Sequence, residues 1–161
     1  MRVILQATQD GEAALVAAVR DAVGDPARAA DLFAGLGTFA LALPGQVYAA
    51  EASRDAVLAL KRAAPHIAAE HRDLYRRPLD ADELANFRAL VVDPPRAGAI
   101  EQIQSISASK IPRLAYVSCN PATFARDARL LADGGYALNW VRPVGQFRWS
   151  THVELAAAFS R

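Results

Sequence analysis

The sequence predicts an α/β domain: a mostly parallel, seven-stranded sheet with helices on both faces. Three observations lead there. Short apolar runs alternate with segments of helical periodicity, the rhythm of βαβ units. The chain has 161 residues, 53% of them hydrophobic and 22% charged, which suits one domain (1–161) with a sizeable core and excludes disorder. One segment, Phe87-Arg88-Ala89-Leu90-Val91-Val92, reads as a buried strand cut off abruptly by Asp93-Pro94-Pro95.

In chain order, Asp10 to Val23 carries Ala14, Leu15, Ala18, Val19 and Ala22 at helical spacing, with Gly24 as its stop. Ala29 to Phe33 is a strand entering the turn Gly35-Leu36-Gly37, and a helix is expected over Thr38 to Leu43, before Pro44-Gly45. Gln46 to Ala50 is the second strand, closed by Glu51. Ser53 caps a helix over Arg54 to Ala64, which stops before Pro65. Ile67 to Arg72 is a third strand and Asp80 to Asn86 a short helix. After the strand at Phe87 to Val92, a helix falls between Ala99 and Ala108. Leu114 to Ser118 is the fifth strand, and Asn120-Pro121 turns into a helix over Ala122 to Ala132, ended by Gly134-Gly135. Tyr136 to Val144 and Val153 to Phe159 complete the sheet, joined by a connection containing Gln146-Phe147-Arg148-Trp149.

Composition narrows the function. Eighteen Lys and Arg against 17 Asp and Glu leave a net charge of +1, which argues against a free-standing nucleic-acid binder held by bulk charge. A single Cys excludes a disulfide framework and any multi-cysteine metal or iron–sulfur site in these residues. No apolar run approaches the roughly 18 residues of a membrane helix, and the start lacks signal-peptide features, so a cytoplasmic setting is expected.

A strand ending in a glycine turn that opens a helix is a general nucleotide pocket. The backbone is open to close approach, and the helix start offers unpaired N–H groups. Gly35-Leu36-Gly37-Thr38-Phe39-Ala40 matches the dinucleotide pattern G-x-G-x-x-A, and Glu51, ending the next strand, suits ribose hydroxyls. Asp31 changes the reading. A carboxylate aimed at this pocket repels a pyrophosphate but suits a cationic ligand, and S-adenosylmethionine carries an ammonium group, a ribose and no phosphate. The alternatives are a dinucleotide, or an Asp31 that caps a turn beside glycines serving only close packing.

Two further turns bear chemistry. Asp93 ends an apolar strand, with two prolines stiffening the exit and Arg96 close by. The plain alternative is a rigid strand-to-helix turn. Cys119 ends the next strand, and the N–H dipoles of the helix behind Asn120-Pro121 would favour its thiolate, making it a candidate nucleophile; the alternative is a small buried hydrophobe. In Thr151-His152-Val153-Glu154, an extended backbone puts His152 and Glu154 on one side, and burial would raise the Glu154 pKa toward that of a usable base. The alternative there is a solvent-facing pair. His66 and His71 lack metal-ligand spacing and read as surface residues; no metal is expected.

Taken together, Gln6, Asp31-Leu32-Phe33-Ala34-Gly35-Leu36-Gly37-Thr38-Phe39, Glu51, Asp93-Pro94-Pro95-Arg96-Ala97-Gly98, Ser118-Cys119-Asn120-Pro121-Ala122-Thr123 and His152-Val153-Glu154 resemble the RNA 5-methyluridine (uracil-C5) methyltransferases. The Ser-Cys-Asn-Pro segment with a late His-x-Glu is the specific part. The resemblance implies a Rossmann-like class I methyltransferase fold and S-adenosylmethionine as cofactor. It also implies a tRNA or rRNA substrate, whose uracil Cys119 attacks at C6 and whose C5 proton Glu154 removes. Gln6, Phe33, Thr38, Glu51, Asp73 and Asp93 match the family's cofactor positions, joined by Asp31, Gly35 and Gly37 of the turn. Asp93, Arg96, Asn120 and His152 would face the flipped-out uracil. Thr38 stands where the family usually has Asn, and Thr8 where Asn often follows the Gln. Cytosine-C5 enzymes place a second cysteine in the segment held here by Asp93-Pro94-Pro95. Family members carry an RNA-binding β-barrel and a central domain before this catalytic part, and those domains would supply most phosphate contacts. Two other readings stay open: a module that binds the cofactor but not RNA, and a methyltransferase for another substrate, with Cys119 structural.

Overall fold

The computed structural model describes residues 9–145 and 153–161. Its elements are α1 (Gln9–Val23), β1 (Arg28–Leu32), β2 (Gln46–Glu51), α2 (Arg54–Ala63), β3 (Ala68–His71), α3 (Ala81–Leu84), β4 (Ala89–Val92), α4 (Ile100–Ala108), β5 (Arg113–Ser118), α5 (Pro121–Asp133), β6 (Ala137–Gly145) and β7 (Val153–Ser160). The seven strands form one sheet in the order β3-β2-β1-β4-β5-β7-β6. Pairs among β1 to β5 are parallel, whereas β7 runs antiparallel to both β5 and β6.

Each central strand feeds two cores. Ala29, Ala49, Val91, Val117 and Ala156 face one layer, packed by Leu15 and Val19 of α1 and Leu60 of α2. Their neighbours Ala30, Ala50, Val92, Tyr116 and Leu155 face the other, packed by Leu84 of α3, Ile103 and Ile106 of α4, and Phe124 and Leu131 of α5. A strand covered on both sides must be apolar at every position, which is why β4 reads as an unbroken apolar run. Ser53 caps α2 as expected, its hydroxyl accepting the Ala56 N–H. His66 and His71 are exposed.

One element departs from expectation. Where a helix over Thr38 to Leu43 was anticipated, there is only a single 3-10 turn at Ala40–Ala42, with turns from Phe33 to Phe39. Phe33, Gly35 and Gly37 take left-handed conformations (φ 66°, 57° and 93°), so the chain coils in place before Pro44 can stop it. Too few residues remain for a helix.

Chain order runs outward from β1 to β3, then returns to β4 and continues the other way. The crevice at that reversal, beyond the carboxyl ends of the strands, is where open α/β sheets hold ligands.

Candidate active site

The period-two rule of a strand assembles the site. Ala29, Ala49, Val91 and Val117 face the α1/α2 layer; two residues further along each chain stand Asp31, Glu51, Asp93 and Cys119. They therefore share one face at one edge of the sheet. Antiparallel β7 adds the last member from the opposite direction. Leu155 pairs with Ser118, so the next residues outward on the two strands are Cys119 and Glu154. Two residues before Ala156, Glu154 lies on the same face as the others.

At this distance the groups feel one another's charge. Asp93 has its pKa raised well above the usual carboxylate range, first by burial, then by the neighbouring charges of Glu154 and Asp31. The Cys119 thiol is also pushed up: burial is the largest cause, with Glu154 and Asp93 adding to it and the Arg96 cation opposing. This corrects the expectation that helix dipoles would favour the thiolate. Loss of solvent around the sulfur, with the charges of Glu154 and Asp93, holds the proton on Cys119 more tightly than on an exposed thiol.

At the glycine turn, Asp31 is fully buried. Its Oδ2 accepts the Ala40 N–H at 2.8 Å, while its Oδ1 is buried with no hydrogen-bond partner. Burial raises its pKa to about 7, the Ala40 bond lowering it and Glu51 raising it further. The turn-capping role and an oxygen left over for a ligand thus coexist in one side chain. Glu51 accepts the Gly35 N–H at 2.9 Å and the Ser53 N–H at 2.6 Å, so its carboxylate is oriented before any ligand arrives. The two glycines differ. A Cβ on Gly37 would lie 2.6 Å from Leu60 Cδ1, so that glycine serves packing against α2. A Cβ on Gly35 would meet nothing within 4 Å, so its backbone borders open space. Half-buried Thr38 lies in the same turn. An orphaned buried carboxylate oxygen, an open glycine face and a pre-oriented acid fit a cationic ligand with a ribose.

The rim comes from the next three turns. Asp73, after β3, accepts the Tyr75 N–H at 3.0 Å and lies 3.6 Å from exposed Arg76. Tyr75 packs its ring 5.5 Å from that of Phe33 and donates its hydroxyl to Gly98 O at 2.9 Å, joining the glycine turn to the Asp93–Gly98 loop. Asn120 caps α5 by accepting the Ala122 N–H, and its Nδ2 donates to Arg96 O at 2.9 Å. Its amide is thus engaged on both sides in holding two turns together. The Arg96 side chain is exposed. Gln6 and His152 lie outside the described residues. Among the described residues, no group of His, Cys, Asp or Glu could hold a metal ion, and no helix is long and apolar enough to cross a membrane.

Sequence reasoning passed over Tyr75, Tyr116 and Asp127. For Asp127 a signal existed: α5 has an apolar stripe through Phe124 and Leu131, and Asp127 is a fully buried acid on it.

Residues 65–161 match the family model described as tRNA (Uracil-5-)-methyltransferase, more than half of the chain. The chain belongs to this family. Among its relatives is an RNA methyltransferase of Zymomonas mobilis, 57% identical over 98% of this chain and 41% of that protein. An RNA methyltransferase of Caulobacter vibrioides is 52% identical over 98% of this chain and 40% of its own length. The 23S rRNA (uracil(1939)-C(5))-methyltransferase RlmD of Acinetobacter baylyi is 40% identical over 81% of this chain and 31% of that protein. This family member therefore spans about two fifths of the length of the first two relatives. Solved structures agree on a class I methyltransferase fold: the N-methyltransferase NodS of Bradyrhizobium japonicum superposes with a TM-score of 0.72 at 14% identity, over 95% of each chain. The magnesium protoporphyrin IX methyltransferase of Synechocystis, solved with bound S-adenosylmethionine, gives 0.68 at 14% identity, over 95% of this chain and 78% of that one. Fold and family together imply S-adenosylmethionine as the cofactor.

Proposed function

We infer that this domain methylates C5 of a uridine in tRNA or rRNA through a covalent adduct between Cys119 and C6. The observation that carries the reading is the register of β5 and β7, in which Cys119 and Glu154 extend paired strands on one face beside Asp93. Asp31 and Glu51 would hold the cofactor's ammonium group and ribose, with Phe33, Gly35, Gly37, Thr38 and Asp73 lining the rest and Gln6 completing the set from the amino-terminal segment. When bound, S-adenosylmethionine supplies an electrophilic methyl group on a positively charged sulfur, which leaves as a neutral thioether.

The protein's part is to make C5 nucleophilic and then restore the ring. Uracil C5 is a poor nucleophile until the Cys119 sulfur adds to C6 and the displaced electron pair becomes an enolate. Addition needs the thiolate, so the Cys119 proton must first pass to solvent. A cation brought beside Asp93 offsets the charge of Asp93 and Glu154 that, after burial, helps hold that proton on. After C5 carries the methyl, Glu154 takes the C5 proton, the C5–C6 double bond re-forms, and the Cys119–C6 bond breaks with its electron pair returning to sulfur. Asp93, with Arg96, Asn120 and His152, would hold the uracil flipped out of the RNA.

The test is tritium release from RNA carrying tritium at uridine C5. Only chemistry at C5 expels that hydrogen. Release that requires S-adenosylmethionine supports the reading. Cofactor binding without release, with both tRNA and rRNA offered, overturns catalysis by this chain and leaves a cofactor-binding module.

A further inference from the structure

Beneath the Asp93–Gly98 loop lies a polar cluster to which the mechanism assigns nothing. Asp127 is fully buried on α5. It accepts the Tyr116 hydroxyl from β5 at 2.6 Å and the Ala99 N–H at 2.8 Å, and pairs with Arg126 at 2.7 Å. Arg126 in turn donates to Ala97 O at 3.1 Å. One helical turn earlier, Thr123 donates to Arg96 O at 3.1 Å, beside the Asn120 bond to the same oxygen. The loop is pressed flat on the helix: a Cβ on Gly98 would stand 2.5 Å from Arg126 Nη2 and 2.8 Å from Asp127 Oδ2.

A buried carboxylate is costly unless it is fully hydrogen-bonded, and apolar packing would hold a helix to a sheet as well. What apolar packing cannot do is fix the loop's backbone polar groups one by one. Asp127 links the three elements that carry the site: β5, which leads into Cys119; α5, which leaves it; and the loop that bears Arg96.

We propose that Asp127 is a positioning residue, clamping the Asp93–Gly98 loop to α5 and so fixing where Arg96 stands against the Cys119 sulfur. The inference rests on the reading of Cys119 given above. Asp93 is held independently of the clamp, since its N–H continues the sheet ladder to Leu32 O at 3.2 Å. Without the clamp, Arg96 keeps the Asn120 and Thr123 bonds to its carbonyl but loses the anchors at Ala97 and Ala99 that follow it, so its cation is held less closely to the thiol while Asp93 and Glu154 stay in place.

The chain has one cysteine, so iodoacetamide alkylation across pH reports on Cys119 alone. Asp127→Asn and Gly98→Ala, measured on the full chain, should each raise the midpoint of that titration by about half a pH unit, about threefold slower alkylation below it. Arg126→Gln, a half-exposed change that leaves the buried carboxylate in place, should move it in the same direction if Asp127→Asn does not fold. Val23→Ala, a core change at the carboxyl end of α1, is the control for general loosening. Folded variants whose midpoints superpose on the wild type, or an equal rise in Val23→Ala, would overturn the clamp. Wild-type protein that releases no tritium from RNA would instead overturn the reading of Cys119, while the titration still decides the clamp.

Discussion

Asp31→Asn is expected to stabilise the cofactor-free protein while impairing cofactor binding, and the two effects have one origin. The folded protein holds a proton on Asp31 up to about pH 7, because burial removes the carboxylate from water, whereas an exposed aspartate carboxyl loses its proton near 3.8. The folded state therefore binds more protons than the unfolded state between these values, and stability falls as pH rises from 4 to 7. Above 7 the deficit is complete. A gap of about three pH units at about 1.4 kcal/mol each gives about 4 kcal/mol, an upper figure for a wholly buried group. Asparagine keeps the acceptor for the Ala40 N–H and cannot ionise, so the variant escapes the deficit. For a domain of this size that corresponds to roughly 10 °C in Tm at pH 8. The assay is thermal denaturation of both proteins without cofactor at pH 8, 6 and 4. The variant's advantage should shrink with each step down, whatever fixed offset the amide itself introduces. A difference independent of pH, or one that grows on acidification, would refute the argument.

The remaining expectations concern chemistry. S-adenosylmethionine should bind more weakly below pH 7 as Asp31 takes up its proton, by up to about tenfold per pH unit, read by calorimetry in two buffers as proton release on binding. Cys119→Ala should abolish tritium release and leave cofactor affinity nearly unchanged, which equilibrium dialysis would show. Glu154→Gln should form the covalent RNA adduct but fail to resolve it, so a slow-migrating complex accumulates on a denaturing gel instead of methylated product. Glu51→Gln loses its charge and, with one amide oxygen, can accept only one of the Gly35 and Ser53 N–H groups that the two carboxylate oxygens hold, and should weaken the cofactor by at least about tenfold.

The fold was legible because a doubly covered parallel sheet writes itself locally: β4 is apolar throughout, and Ser53 and Asn120 announce the helices they cap. The residues ending β1, β2, β4 and β5 were visible as chemistry for the same reason, since polar side chains interrupt apolar runs there. The helix over Thr38 to Leu43 was misread because apolar periodicity cannot report that Phe33, Gly35 and Gly37 had already turned the chain through left-handed conformations. The state of Cys119 was misjudged because its surroundings are assembled from distant segments: Glu154 arrives on the antiparallel strand and Asp93 from the neighbouring parallel one. Asp127 was overlooked for a related reason. Its partners, Tyr116 and Ala99, precede it by 11 and 28 residues, and nothing in the α5 pattern names them.

The most direct measurement uses RNA substituted with 5-fluorouridine, incubated with the protein and S-adenosylmethionine and analysed by intact mass. Fluorine at C5 cannot depart as a proton does, so a sulfur that has added to C6 stays attached. The account predicts a species heavier by the RNA and one methyl group, with digestion placing the link on Cys119. Protein that has bound the cofactor and RNA yet recovers its unmodified mass would contradict it.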